Sequence, residues 1–164
     1  MNKDSWERRL AVAWSSLDDV GGAEFVELIG SLAAELPAGS ARADFEQACA
    51  FDSTGHPEKA VPLYQAALAK GDGLTDEQRR RSVIQMASSV RNLGRPDESV
   101  RLLRTELARG SDHLDDAVRA TLALALTDLG QTREAVSIAV GALARHLSRY
   151  QRSMAAYAQM LMEP

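Results

Sequence analysis

The sequence predicts an all-α fold, a right-handed α-solenoid of stacked antiparallel helix pairs with about nine helices and a capping element at each end. Three observations predict it. First, a turn phrase occurs three times: Thr54-Gly55-His56-Pro57-Glu58-Lys59-Ala60-Val61, Leu93-Gly94-Arg95-Pro96-Asp97-Glu98-Ser99-Val100 and Leu129-Gly130-Gln131-Thr132-Arg133-Glu134-Ala135-Val136. Its glycines stand 39 and 36 residues apart, the period of a helix–turn–helix unit. Second, each phrase has the chemistry of a helix end meeting a helix start. Glycine tolerates the left-handed conformation that closes the first helix, Pro57, Pro96 or Thr132 opens the second, and Glu58, Glu98 or Glu134 sits near its positive end. Third, hydrophobic residues make up 45% of the chain but aromatics only 5%, a small-residue composition that favours closely packed helices over sheet.

The elements follow in order. Asp4 or Ser5 can cap a first helix that places Trp6, Leu10, Ala13, Trp14 and Leu17 on one face. A second helix, from about Ala23 to Leu36, buries Phe25, Leu28, Ile29 and Leu32 and stops at Pro37. This hairpin, residues 1–39, lacks the turn phrase and reads as the N-terminal cap that repeat arrays need, with a subunit contact through the tryptophans as the lesser reading. Repeat 1 (40–72) pairs a helix over Ala41–Ser53 with one over Pro57–Lys70, with Ala48, Phe51, Ala60, Tyr64, Ala67 and Leu68 turned inward. Thr75 and Gln78 form a capping-box pattern. Repeat 2 (73–110) pairs Asp76–Leu93 with Pro96–Arg109, and Val83, Met86, Ala87 and Val90 oppose Leu102, Leu103 and Leu107. Repeat 3 (111–147), capped by Ser111 or Asp112, sets Leu122, Ala123 and Leu126 against Ala135, Val136, Ala139, Ala142 and Leu143. A last helix, about Arg149–Met162 within 148–164, carries Tyr150, Met154, Tyr157 and Leu161 and is expected to seal the open end. All of this makes one domain of 164 residues.

Seven positions before each glycine stand Ala48, Ala87 and Ala123, and four before it stand Phe51, Val90 and Leu126. Ala60, Ser99 and Ala135 come five after it, then Tyr64, Leu103 and Ala139 nine after, and Leu68, Leu107 and Leu143 thirteen after. This pattern resembles the tetratricopeptide repeat, and the wording around Ala50–Gly55 and Gln85–Gly94 resembles small stand-alone bacterial proteins of its group 5 type. The chain departs from the family in lacking the helix-A tryptophan, replaced by Asp44, Val83 and Arg119, and the closing proline. Its repeats also exceed the usual length of about 34 residues. The resemblance implies a non-catalytic interaction scaffold that binds a peptide on the concave wall made by the first helices of the pairs.

Helical angles then predict which side chains line that wall. Opposite the core stripe of repeat 2 fall Arg81, Gln85, Ser88 and Asn92, with Arg91 at the flank. Arg42, Glu46, Cys49 and Ser53 correspond in repeat 1, with Phe45 and Asp52 at the flank, and Ala117, Thr121, Leu124 and Asp128 correspond in repeat 3. Arginine beside amide and hydroxyl groups suits a carboxylate, and Leu124 adds an apolar socket. The expected groove is therefore Arg42, Phe45, Arg81, Gln85, Ser88, Arg91, Asn92, Leu124 and Asp128, and the expected partner is an unidentified protein or an acidic, carboxylate-bearing peptide. A homo-oligomer, built on the Trp6/Trp14 hairpin or the Tyr150–Leu161 helix, and a peptide-sensing regulatory domain are the alternatives.

Other functions fit less well. A net charge of −4 does not suggest nucleic acid, although residues 73–110 carry eight Arg against five acids. No apolar run approaches the roughly 20 residues of a membrane span, and with one cysteine and no signal-like start a cytoplasmic location is expected. His56, His113 and His146 have no metal-ligand spacing, no phosphate-cradling loop occurs, and Cys49 has no nearby basic partner. No enzyme activity, cofactor or metal is expected.

Overall fold

In the computed structural model, which describes residues 3–163, the regular structure among the described residues is all helix, joined by turns. Its elements are α1 (Lys3–Ser15), α2 (Gly22–Ala33), α3 (Ala41–Ser53), α4 (Pro57–Ala69), α5 (Asp76–Asn92), α6 (Pro96–Arg109), α7 (Asp115–Asp128), α8 (Thr132–Ala144) and α9 (Gln151–Met160). The three turn glycines have positive φ: +79° at Gly55, +77° at Gly94 and +74° at Gly130. Each closes its helix by the same pair of bonds. The Gly55 N–H donates to the Asp52 carbonyl and the His56 N–H to Phe51; Gly94 and Arg95 bond Arg91 and Val90, and Gly130 and Gln131 bond Thr127 and Leu126. Two otherwise orphaned carbonyls are satisfied at each turn, so the recurring phrase is a recurring backbone geometry. The Thr75/Gln78 box also forms, with Thr75 N–H to Gln78 Oε1 at 3.0 Å and Gln78 N–H to Thr75 Oγ1 at 3.2 Å.

The chain divides into two compact units, residues 1–82 and 83–164. In the first, the N-terminal hairpin packs Trp6, Leu10, Ala13, Phe25, Ile29, Leu32 and Ala50 into one core. The Trp6 Nε1–H donates to the Leu32 carbonyl at 2.9 Å, and the Trp14 ring meets Phe25 edge-on at 5.1 Å. Both tryptophans are thus engaged inside their own unit. Phe45, Ala48, Cys49, Ala60, Val61, Tyr64 and Ala67 are buried between α3, α4 and their surroundings. In the second unit, Ala87, Val100 and Leu103 join Val118, Leu122, Ala123, Ala125, Leu126 and Ala135.

Several expectations need correction. Leu28 is 39% exposed; it stands about 100° round the helix from Ile29 and faces the outer groove between α1 and α2, beside Val12. Phe51 is only half-buried, beneath Lys59 and beside His56. Helix α7 starts at Asp115, after Ser111 and Asp112. The Asp112 carboxylate accepts from the Leu114 N–H at 2.7 Å and Asp115 accepts from the Ser111 hydroxyl at 2.7 Å, so residues 111–114 form a turn. Val136, Ala139 and Leu143 face outward, and Tyr150 precedes α9 in the left-handed conformation.

The last helix does not seal the α7–α8 pair. It lies on another side of α8, where the Ser137 hydroxyl donates to the Ala158 carbonyl at 2.7 Å and Ala158 covers Gly141. Arg133 also bonds the Leu161 carbonyl. The equivalents of Ser137 and Gly141 in the preceding pair are Arg101 and Thr105, both exposed. A serine and a glycine there let α9 approach a side of the helix that repeat 2 leaves to solvent.

Candidate functional site

In the first unit the polar side of α3 is built around a buried carboxylate. Glu46 is 4% exposed, and its two oxygens are taken separately: Arg42 Nε lies 2.7 Å from Oε1, and the Trp14 indole N–H donates to Oε2 at 2.9 Å. Arg42 also reaches Glu7 at 3.1 Å and lies over the Trp6 ring at 5.5 Å. Burial raises the Glu46 pKa, while the Arg42 charge and the Trp14 hydrogen bond oppose the shift. Arg42 is therefore committed to the intramolecular network of α1 and α3.

Arg81 is placed differently. It is exposed, and its guanidinium lies 5.4 Å from the centre of the Phe45 ring. Phe45, expected at the flank of the groove, is only 2% exposed and forms the floor on which Arg81 rests. An arginine stacked on an aromatic face keeps the edge of its fork directed outward, with part of its conformational freedom already lost. Beneath this surface the Tyr64 hydroxyl meets the Cys49 sulfur at 3.6 Å. Burial pushes the Cys49 thiol up to about 12 and raises Tyr64 as well, so neither ionises near neutrality.

In the second unit Arg91 is paired. Its Nη2 donates to Asp128 Oδ1 at 3.1 Å and its Nε lies 2.5 Å from Oδ2, which ties α5 to α7. Asn92 is exposed next to this fork, with Oδ1 3.5 Å from Arg91 Nη1. Gln85 and Ser88 are half-buried on the same helix, and Leu124 is exposed on α7. The structure thus brings Arg91, Asn92 and Asp128 together here and Phe45 and Arg81 together in the first unit, while Arg42 is held apart by Glu46, Glu7 and Trp6. Sequence reasoning placed Glu46 on the wall without seeing it as the hub, because its key partner, Trp14, lies 32 residues upstream. The signal was the bare coincidence of an acid at one helical position and a tryptophan on a neighbouring helix.

At the start of α7, Asp116 accepts from Arg119 at 3.1 Å and lies 2.8 Å from His146. His56 lies 3.5 Å from Glu58 in its turn. Among the described residues no group of three acids, histidines or cysteines could hold a metal ion, and no helix is long and apolar enough to cross a membrane.

The sequence model of the tetratrico peptide repeat family matches residues 41–161. The chain belongs to that family. No curated protein matches it. Among solved structures it is similar to the nearly identical TPR-like repeats of Podosopora anserina, assigned to a kinesin light chain. The identity is 22%, the TM-score is 0.69, and the alignment covers 99% of this chain and 94% of that one. A point variant of the same repeats matches at 22% identity and TM-score 0.68, covering 96% and 91%. These likenesses show a tetratricopeptide-type helical solenoid. Such repeats serve as protein–protein interaction modules and are typically non-catalytic.

Proposed function

We propose that this tetratricopeptide repeat protein binds a peptide segment bearing an acidic group, through the polar faces of its first-in-pair helices, and catalyses nothing itself. The observation that carries the reading is Arg81, whose exposed guanidinium is stacked on the buried Phe45 ring. Arg42 and Arg91 already satisfy Glu46 and Asp128, so a partner carboxylate would have to displace one of those acids to use them. At Arg81 it meets a fork already held over an aromatic face. Ser88 and Asn92, farther along the same polar side of α5, are hydroxyl and amide groups of the kind that bond a peptide backbone.

The test is selection of a phage-displayed random peptide library on the immobilised protein, followed by affinity measurement with synthetic peptides. Selected peptides are expected to carry Asp, Glu or a free C-terminal carboxylate beside an aliphatic residue. Arg81→Glu should weaken them by about 100-fold, with affinity falling as salt rises. Arg91→Glu should act less, because Asp128 already shares that charge. Peptides without acidic groups, or affinities unmoved by Arg81→Glu, would refute the proposal.

A further inference from the structure

We propose that two copies of this chain pair through the outer groove of their N-terminal hairpins, antiparallel across a two-fold axis, so that Arg8 of each copy meets Glu24 of the other. This goes beyond the peptide site and shares no residue with it.

Helices α1 and α2 run antiparallel: Arg9 holds Glu35 at 2.6 Å near one end, and Trp14 meets Phe25 near the other. Between them lies an open groove of about 740 Å³. One wall carries Arg8, Val12 and Ser16, the other Leu28, Ser31 and Glu35. Spacings of three and four residues make each set a single helical face. Val12 is 69% exposed and Leu28 39%, and among the described residues they are the only large hydrophobic side chains that the first unit leaves exposed. Both fall in this one groove. The serine hydroxyls are turned back on their own backbone, Ser16 donating to the Ala13 carbonyl at 2.8 Å and Ser31 to the Glu27 carbonyl at 2.9 Å. The middle of the groove is thus apolar and flanked by small residues, a shape into which another helix can close.

The charges at its two ends say what closes it. In the antiparallel pair Val12 stands level with Leu28. Arg8 lies one turn from Val12 toward one end, about 6 Å along the axis, and Glu24 lies one turn from Leu28 toward the other. Both are exposed. Arg8 donates through Nε to the Asp4 carbonyl at 3.1 Å, and neither Arg8 nor Glu24 has an ion-pair partner among the described residues. Arg9 and Glu35, at the basic end, neutralise each other. Asp18 and Asp19, exposed and likewise without an ion-pair partner among the described residues, extend the acidic end. A two-fold axis through Val12 and Leu28 turns this pattern onto its own complement. Apolar centre meets apolar centre, Arg8 reaches the partner's Glu24, and symmetry makes the same contact a second time. Two hairpins joined in this way form a four-helix arrangement. The groove between α7 and α8, walled by Leu124 and Val136, has no charged residue in its lining and offers no such complement.

Sedimentation equilibrium of the full chain across the micromolar range tests this, with circular dichroism to confirm that each variant is folded. The wild-type protein is expected to be a dimer. Val12→Glu, at the centre of the groove, should weaken it about 100-fold, and Arg8→Glu or Glu24→Arg alone about 10-fold. An equimolar mixture of the Arg8→Glu and Glu24→Arg chains should recover the wild-type affinity. Each variant alone faces itself with like charges, whereas both contacts of the mixed pair join opposite ones. Tyr157→Glu, on the exposed side of α9, should leave the dimer intact. A wild-type monomer throughout the range overturns the proposal. So does a dimer that Val12→Glu leaves unchanged or that Tyr157→Glu disrupts equally, and so does a mixture no more dimeric than its components.

Discussion

Repeat 1 and repeat 3 hold the same positions at the same distances from their turn glycines, yet one set is core and the other is surface. Val61 is buried where Val136 is exposed, and Cys49 is buried where Leu124 stands in solvent. Intrinsic hydrophobicity does not decide this, for leucine is at least as apolar as cysteine. The neighbour decides it. A solenoid repeat closes only one side of its own core, and the next helix supplies the rest. In repeat 1 those positions are closed off from solvent; in repeat 3 the helix that follows lies against Ser137 and Gly141 and leaves them open.

The largest way to break this comparison is to truncate both sides of it. Tyr64→Ala is expected to cost about 3–5 kcal/mol, the range for removing a buried aromatic and leaving a cavity. Leu124→Ala and Val136→Ala, on the groove of repeat 3, should each change stability by less than about 0.5 kcal/mol in the monomer. Urea denaturation of the three variants measures this. A cost above about 2 kcal/mol for either groove variant at monomeric concentration would mean that repeat 3 is covered from within.

The helices and turns were legible from sequence, because they depend on chemistry close in the chain. Gly55, Gly94 and Gly130 end helices by bonds spanning three to five residues, and Pro96–Arg109 is a helix with the bounds its turn residues set. Burial was legible where a helix has a regular partner, as at Val90, Ala87 and Leu126. It failed at Val136, Ala139 and Leu143, whose outward position depends on where a helix beginning at Gln151 comes to rest. The site divided the same way. Arg81, Gln85, Ser88, Arg91 and Asn92 could be assigned to one polar helical side from spacing alone. That Asp128, 37 residues on, engages Arg91, and that Trp14 holds Glu46, are consequences of packing that no local pattern encodes.

Repeat 2 sharpens the comparison at a single atom. Ser99 occupies the position where the other repeats have Ala60 and Ala135, and all three are buried. Its hydroxyl oxygen is buried without a hydrogen-bond partner among the described residues. Removing one oxygen from a site that alanine fills in both sister repeats relieves that desolvation and leaves little void. Ser99→Ala is therefore expected to stabilise the protein by about 1 kcal/mol in urea denaturation. A loss of stability would show that the hydroxyl has a partner.

The smallest effect separates the two units by pH. Glu46 and Asp116 are carboxylates near arginines, but their environments pull in opposite directions. For Glu46, burial is the dominant influence, and Arg42 and Trp14 do not overcome it, so its pKa is raised. For Asp116, desolvation is outweighed by the hydrogen bonds from His146 and Arg119 and by the charges of Arg145 and Arg119, so its pKa is lowered. A folded-state pKa above the unfolded value means that the native state holds its proton longer, and stability from that group falls as pH rises through the interval between them. A depressed pKa gives the reverse: the contribution is present above the unfolded value and is lost as pH falls through the folded one. The stability difference between wild type and Glu46→Gln should therefore shrink as pH rises from the acid range toward neutrality, while that between wild type and Asp116→Asn should grow. Urea denaturation at acid and neutral pH measures both slopes. Because Asp116 is largely solvated and screened, its slope should be the shallower and should flatten in high salt, whereas the Glu46 slope, arising from burial, should persist. Slopes of the same sign would mean that the Arg42–Glu46–Trp14 network, like the Asp116 cluster, holds its carboxylate mainly by charge.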